Sequence, residues 1–229
     1  MATSGTYAFN PGLGSLSLAA FDLIGVRRAA ILQEHLEAAR LHANFLLLRW
    51  SSAGVNLWQV DLVSTTLVEG QSTYDVDTNT IVILDMYITV QSDSATFDRI
   101  IMPVSRTEYA SYPNKTQAGF PSVAWFDRTL SPTITIWPVP NGEQTYLKYY
   151  RLRQNQDAAL QNGLTVEMPA YWMEAFVFGL ASRLAIIYAP DRAIGMKAMA
   201  DEAYDIASRQ NIESAMQFIS PMLGGYWRV

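Results

Sequence analysis

Gly119-Phe120-Pro121-Ser122-Val123-Ala124-Trp125-Phe126, followed by Ile134-Thr135-Ile136-Trp137-Pro138-Val139-Pro140, is the stretch on which the fold depends. A Gly/Pro corner opens an apolar strand, a polar turn follows, and two prolines stop a second strand. None of these side chains can act as an acid, base or strong nucleophile, so the segment reads as architecture. It makes the middle of the chain β. Outward from it, short β-prone runs at residues 57–67, 72–76, 81–91, 98–103, 123–128, 133–137 and 144–150 alternate with turn residues. Pro140-Asn141-Gly142 is the clearest hairpin signal, since Asn-Gly adopts paired positive φ readily. Residues 105–112 predict one short helix, with Ser105 as its cap and Glu108 completing a capping box.

Both flanks change period. In residues 15–28, Leu16, Ala19, Ala20, Leu23 and Ile24 share a helical face, with Ser15 or Ser17 as cap. Residues 30–52 carry Leu32, Leu36, Ala39, Ala43, Leu46 and Trp50 as one stripe, and Gly54 predicts a left-handed stop. The short link between these helices predicts antiparallel packing. After the β region, Pro169 suits a first helical position. Trp172, Phe176, Leu180 and Ile187 predict one buried face over 171–188, and Pro190 ends that helix. Residues 191–211 form an alanine-rich helix suited to close contacts. Helices, then strands, then helices argue an α+β fold. The expected organisation is an antiparallel bundle from 15–54 and 165–212, an inserted antiparallel β-rich region at 55–153, an N-terminal arm at 1–14, and an extended tail at 213–229.

Composition narrows the function. Half of the 229 residues are hydrophobic and only 16% are charged, so part of the apolar surplus is expected to be covered by other subunits. Cysteine is absent, which removes disulfides, thiolate metal sites and a cysteine nucleophile. The net charge of −5 argues against tight non-specific nucleic-acid binding. No basic residue precedes the first apolar run, so no secretory leader is expected. The most apolar run, 175–189, is interrupted by Arg183 and is short for a bilayer, so no membrane partner is expected. Nucleotide, zinc-protease and serine-hydrolase motifs are missing.

His35 and His42 lie two helical turns apart, about 10.5 Å, too far to share a metal, and read as partly exposed surface or interface histidines. Asp75, Asp77, Asp85, Asp93 and Asp98 are scattered, and aspartate is a common turn residue. No catalytic, cofactor or metal residues are therefore assigned. Trp125, Phe126 and Trp137 are placed to stack across a sheet, with Tyr146, Tyr149 and Tyr150 in the next strand. Arg99, Arg106, Lys115, Arg128, Lys148, Arg151 and Arg153 are interleaved with aspartates, which favours core and interface packing over nucleic-acid stacking. Pro221 and a Gly224-Gly225 hinge precede Tyr226-Trp227-Arg228, residue types enriched at interface hot spots. Pro221, Tyr226, Trp227 and Arg228 are the expected partner-binding residues.

Four motifs, in this order and spacing, resemble phage head-to-tail adaptor proteins of the short-tailed type. They are Trp50-x-x-x-Gly54-x-x-Leu57-Trp58, Tyr74-x-Val76, the Gly119-Phe120-Pro121-Ser122 corner, and Trp137-Pro138-Val139-Pro140 before a tyrosine-rich strand. The similarity spans residues 16–212. It implies a virion protein of the neck, made in the host bacterial cytoplasm, that forms a homo-oligomeric ring of about twelve copies beneath the portal protein. Such a ring closes the filled head, extends the channel for double-stranded DNA without binding it specifically, and offers a platform to downstream tail or nozzle proteins. The rival readings are another neck or tail component, such as a stopper or tail-tube protein, a virion-associated cell-wall hydrolase, and a host-binding module.

Overall fold

The computed structural model describes residues 5–6, 9–54, 56–91, 95–161 and 163–212. Its first helix, α1 (Leu13–Ile24), begins two residues ahead of the expected start, with Gly12 and not a serine at the N-cap. Ser17 is turned into the core and caps nothing. The helix stops at Gly25, whose left-handed φ of 82° turns its N–H back onto the carbonyl of Asp22. A 3₁₀ turn (Arg28–Ala30) delays the next helix, α2 (Gln33–Ala53). Ala39, Ala43, Leu46 and Trp50 are buried as the stripe predicts, but Leu32 is exposed at the helix entrance. The left-handed stop expected at Gly54 is not used: its φ of 171° is extended backbone.

Seven strands follow: β1 (Val60–Thr66), β2 (Thr73–Asp75), β3 (Thr80–Gln91), β4 (Thr96–Pro103), β5 (Val123–Asp127), β6 (Thr133–Trp137) and β7 (Tyr146–Arg153). They form one sheet in the order β1-β7-β3-β4-β5-β6-β2. All pairings are antiparallel except β4 with β5, so the sheet is mixed where an antiparallel one was expected. The short helix α3 (Arg106–Ser111) and the corner after it fill the crossover that this parallel pair requires. Ser105 Oγ accepts the Glu108 N–H at 3.1 Å, so the expected cap forms.

The predicted Asn141-Gly142 hairpin does not form. β6 pairs with β5 and β2, while β7 pairs with β1 and β3, so the segment between them crosses from one part of the sheet to another. Gly142 alone takes positive φ, and Asn141 instead exchanges hydrogen bonds with the Gln144 side chain. The sheet curls so that Tyr74 and Val76, from the β2 end, share one core with Ile88, Ile134, Ile136, Leu147 and Tyr149.

The chain then returns to helix through a 3₁₀ turn (Ala170–Trp172) into α4 (Met173–Tyr188). Pro169 stays extended ahead of that turn and is not a helical first residue. The buried row of α4 advances in steps of four through Trp172, Phe176, Leu180 and Leu184. Ile187, expected on this face, lies about 100° round from Tyr188 and is exposed. After the Pro190–Arg192 turn comes α5 (Ala193–Ser208), shorter than predicted and buried only at Ala207.

α4 is the centre of the bundle. α1, α2 and α5 all pack on it, and α1 lies chiefly against α4 rather than α2. This position explains its hydropathy: residues 170–188 are long and apolar enough to cross a membrane by composition, and half of them are buried in the bundle. Gly179 permits the closest approach, since a Cβ there would sit 2.8 Å from Leu46 Cδ2. The facing pairs Leu46 with Gly179 and Trp50 with Phe176 and Trp172 show α2 antiparallel to α4. α5 reverses again after a short turn, so α2 and α5 run in the same sense.

Candidate functional site

The joint between bundle and sheet is built from the first of the four sequence motifs. Trp172 is 1% exposed, and its ring lies 4.9 Å from Trp50, 5.2 Å from Trp58 and 5.4 Å from Tyr204. Beside it, the fully buried Gln59 donates to Ser51 Oγ at 2.9 Å and to Asn155 Oδ1 at 2.6 Å, and accepts from Asn56 at 2.8 Å. This polar knot ties the end of α2 to the start of β1 and the exit of β7. Sequence reasoning missed it, because Asn155, which closes the knot, lies 96 positions from Gln59. Asn211 Oδ1 accepts the Leu57 N–H at 3.0 Å, so the chain leaves the bundle beside the same joint.

The other motifs are structural too. Tyr74 donates to the carbonyl of Gln71 at 3.0 Å and accepts the Val68 N–H at 3.1 Å, closing the turn before β2. Burial raises its phenol above the ordinary value. Trp125 and Trp137 do not stack on each other. α3 covers them, with Tyr109 stacked 5.5 Å from Trp125 and Tyr112 stacked 4.4 Å from Trp137. Trp137 Nε1 donates to Asn114 O at 2.7 Å. Asn114-Lys115-Thr116 forms a side-chain turn, in which Asn114 Oδ1 accepts from Thr116 N at 3.1 Å. Lys115 donates to the carbonyls of Tyr109, Ala110 and Tyr112 at the end of α3. The Trp125 and Trp137 rings and the Lys115 cation, which a nucleic-acid platform would use, are thus already engaged.

The predicted ionisable residues are placed as follows. His35 is partly exposed, as expected; its Nδ1 accepts the Leu32 N–H at 3.2 Å and its ring stacks 4.9 Å from Tyr188. His42 lies 6.2 Å from Phe45, and burial, then Arg183, hold its imidazole below the ordinary value. Asp77 meets Arg151, Asp98 accepts from Thr89 Oγ1 at 2.5 Å, Asp75 and Asp85 face solvent, and Asp93 lies outside the described residues. Among the described residues no group of three or more histidines and acids converges on a metal-sized site.

Arg153 forks onto Glu167, whose second oxygen also accepts the Gln156 N–H at 2.9 Å. The Arg153 hydrogen bond foremost, against the opposing effect of burial, holds the Glu167 carboxyl below its ordinary 4.5. A lowered folded pKa gives stability that is complete above the unfolded value and is lost as pH falls through the folded one. Urea midpoints measured from about pH 6 down to about pH 3 should therefore fall, and Glu167→Gln should flatten part of that decline.

The surface left over carries apolar stripes and one basic groove. On α2, Leu41, Phe45 and Leu48 form a second stripe at spacings of four and three, exposed opposite the buried one. Ile186 and Ile187 on α4 and Ile194, Met199 and Ile206 on α5 are also exposed, Ile194 by 86%. A groove of about 540 Å³ runs over α4 between α2 and α5, floored by Leu46, Trp50, Gly179 and Tyr204. Arg49, Arg183 and Lys197 line it, with Asp201 as the one acid. None of the three cations makes a hydrogen bond or ion pair among the described residues, and burial, then Arg49, hold Arg183 below its ordinary pKa. On the sheet, Leu62, Tyr150, Ile100 and Met102 are exposed as well. The expected partner residues Pro221, Tyr226, Trp227 and Arg228 lie outside the described residues.

A family model described as SU10 adaptor protein matches residues 14–222. No curated protein matches.

Proposed function

The chain belongs to the SU10 adaptor protein family, phage head-to-tail adaptors, and from that premise we propose that it is a neck protein forming a ring of about twelve copies beneath the portal. The ring closes the DNA-filled head, extends the channel and presents a platform to the next tail protein. The family match over residues 14–222 carries this reading. The unpartnered apolar stripes on α2, α4 and α5 support it, because faces of this kind rarely stay bare on a monomer. The channel role is supported by the net charge of −5 and by the engagement of most β-region cations with acids, rings or carbonyls, so DNA can pass without being held.

The work is assembly rather than chemistry. Residues 213–229, with Pro221, Tyr226, Trp227 and Arg228, bind the portal, and this contact is complete only on a finished portal ring. This makes head completion sequential. Deletion of 221–229 is expected to leave a folded, soluble protein that no longer joins portals when the mixture is viewed by electron microscopy. A truncated protein that decorates portals as the full chain does overturns the role of these residues. A full chain that ignores portals but binds a downstream neck ring is a stopper and not an adaptor.

A further inference from the structure

We propose that successive copies in the ring are joined by the outer ridge of α2, which seats in the α2–α5 groove of the next copy. The ridge carries Glu34 and Glu37 at its N-terminal end and Leu41, Phe45 and Leu48 toward its C-terminal end. The groove is ordered the same way. Arg183 and Lys197 lie toward the α4–α5 turn, and Trp50 and Tyr204 lie at the opposite end, beside Trp172. Arg49 stands between them on α2. Because α2 and α5 run in the same sense, a second α2 laid parallel between them sets acids against cations and apolar side chains against the apolar end.

Each partner needs what the other supplies. Glu37 is exposed and meets only the Gln33 amide, at 3.0 Å. Glu34 is 75% exposed and lies 4.0 Å from His35 Nδ1, a nitrogen already accepting from Leu32. The groove holds three cations without partners in a chain whose net charge is negative. Desolvating them is costly unless a carboxylate arrives. Ridge and groove occupy different sides of one subunit, so the contact is head-to-tail and can close a ring. This pairing rests on the ring reading above and specifies its contacts.

Charge reversal tests it. One chain carries Glu34→Lys and Glu37→Lys (ridge reversed), and another carries Arg49→Glu and Lys197→Glu (groove reversed). All four positions are exposed, so both chains should fold, which circular dichroism checks. Ring formation, alone or on portal rings, is read by native mass spectrometry and electron microscopy. Each reversed chain should need at least about tenfold higher concentration to assemble than the parent. A chain carrying both reversals should assemble as the parent does. Raising the salt should weaken the parent ring. If the single-reversal chains form rings like the parent, the ridge–groove pairing is wrong while the ring stands. If groove reversal lowers portal capture yet leaves ring formation intact, the groove belongs to the portal and the pairing is likewise wrong. If the parent never forms a ring under any of these conditions, the ring reading fails and the pairing falls with it.

Discussion

Trp172→Ala is expected to lower the stability of the folded protein by about 3–5 kcal/mol, the range for emptying a fully buried tryptophan site. The ring is 1% exposed and wedged among Trp50, Trp58 and Tyr204. Those neighbours come from α2, the start of β1 and α5, so they cannot all collapse into the void. Aromatic pairing energy is lost together with the buried area. For a domain of this size each kcal/mol moves the thermal midpoint by roughly 2–4 °C, so a calorimetric shift on the order of ten degrees should follow. Trp172→Phe is the informative control. The indole N–H has no acceptor among the described residues, so removing it also removes an unsatisfied buried donor. The phenylalanine variant should therefore lose much less than the alanine variant. Equal losses would mean that the N–H is satisfied and not orphaned.

Arg151→Ala is expected to cost about 2–4 kcal/mol, less than a sealed ion pair because water reaches its acids. The side chain is only 9% exposed. It donates to Asp61 at 2.7 Å, to Asn79 and Thr80 at 3.0 Å each, and approaches Asp77 at 3.3 Å. One side chain thus joins β1, β7 and the turn into β3. The hydrogen bond it donates to Asp61, foremost, raises its pKa further above an already high value, so it stays charged throughout the working range. Arg151→Lys should recover only part of the loss, since an ammonium cannot reproduce the planar fork. Asp61→Ala should cost less than Arg151→Ala, because Asp77, Asn79 and Thr80 remain as partners. Chemical denaturation of the three variants gives the ranking, and the order Asp61→Ala worse than Arg151→Ala contradicts this account.

The seven strands could be read from the sequence because alternation and turn residues are local signals. Their partners could not. Asn141-Gly142 is a strong hairpin signal, yet β6 and β7 take other neighbours, because burying Ile134, Ile136, Leu147 and Tyr149 in one curled core outweighs a local turn preference. The four motifs behind the family resemblance were visible as residues, but their work was not: Trp58 and Tyr74 act through contacts that only the fold creates. The His35 contact with the Leu32 N–H was not legible, because a cap made by a ring nitrogen leaves no spacing signature.

The candidate surface shows the same division. The stripe through Ala39, Ala43, Leu46 and Trp50 was legible from its spacing, but the second apolar face of α2, at Leu41, Phe45 and Leu48, was missed and is evident only as exposure in the fold. The unpaired state of Arg49, Arg183 and Lys197 depends on residues more than a hundred positions apart lying side by side. What the amino-acid order determined by itself was the type and succession of the elements, the absence of cysteine chemistry, and membership of an adaptor family. The first two follow from backbone preference, periodicity and composition, and the third from four short motifs in order; all of these are signals that span a few residues at a time. Which face of each helix is covered, which strands pair, and which cations are left without acids were decided by tertiary structure, because each depends on contacts between segments that only packing brings together.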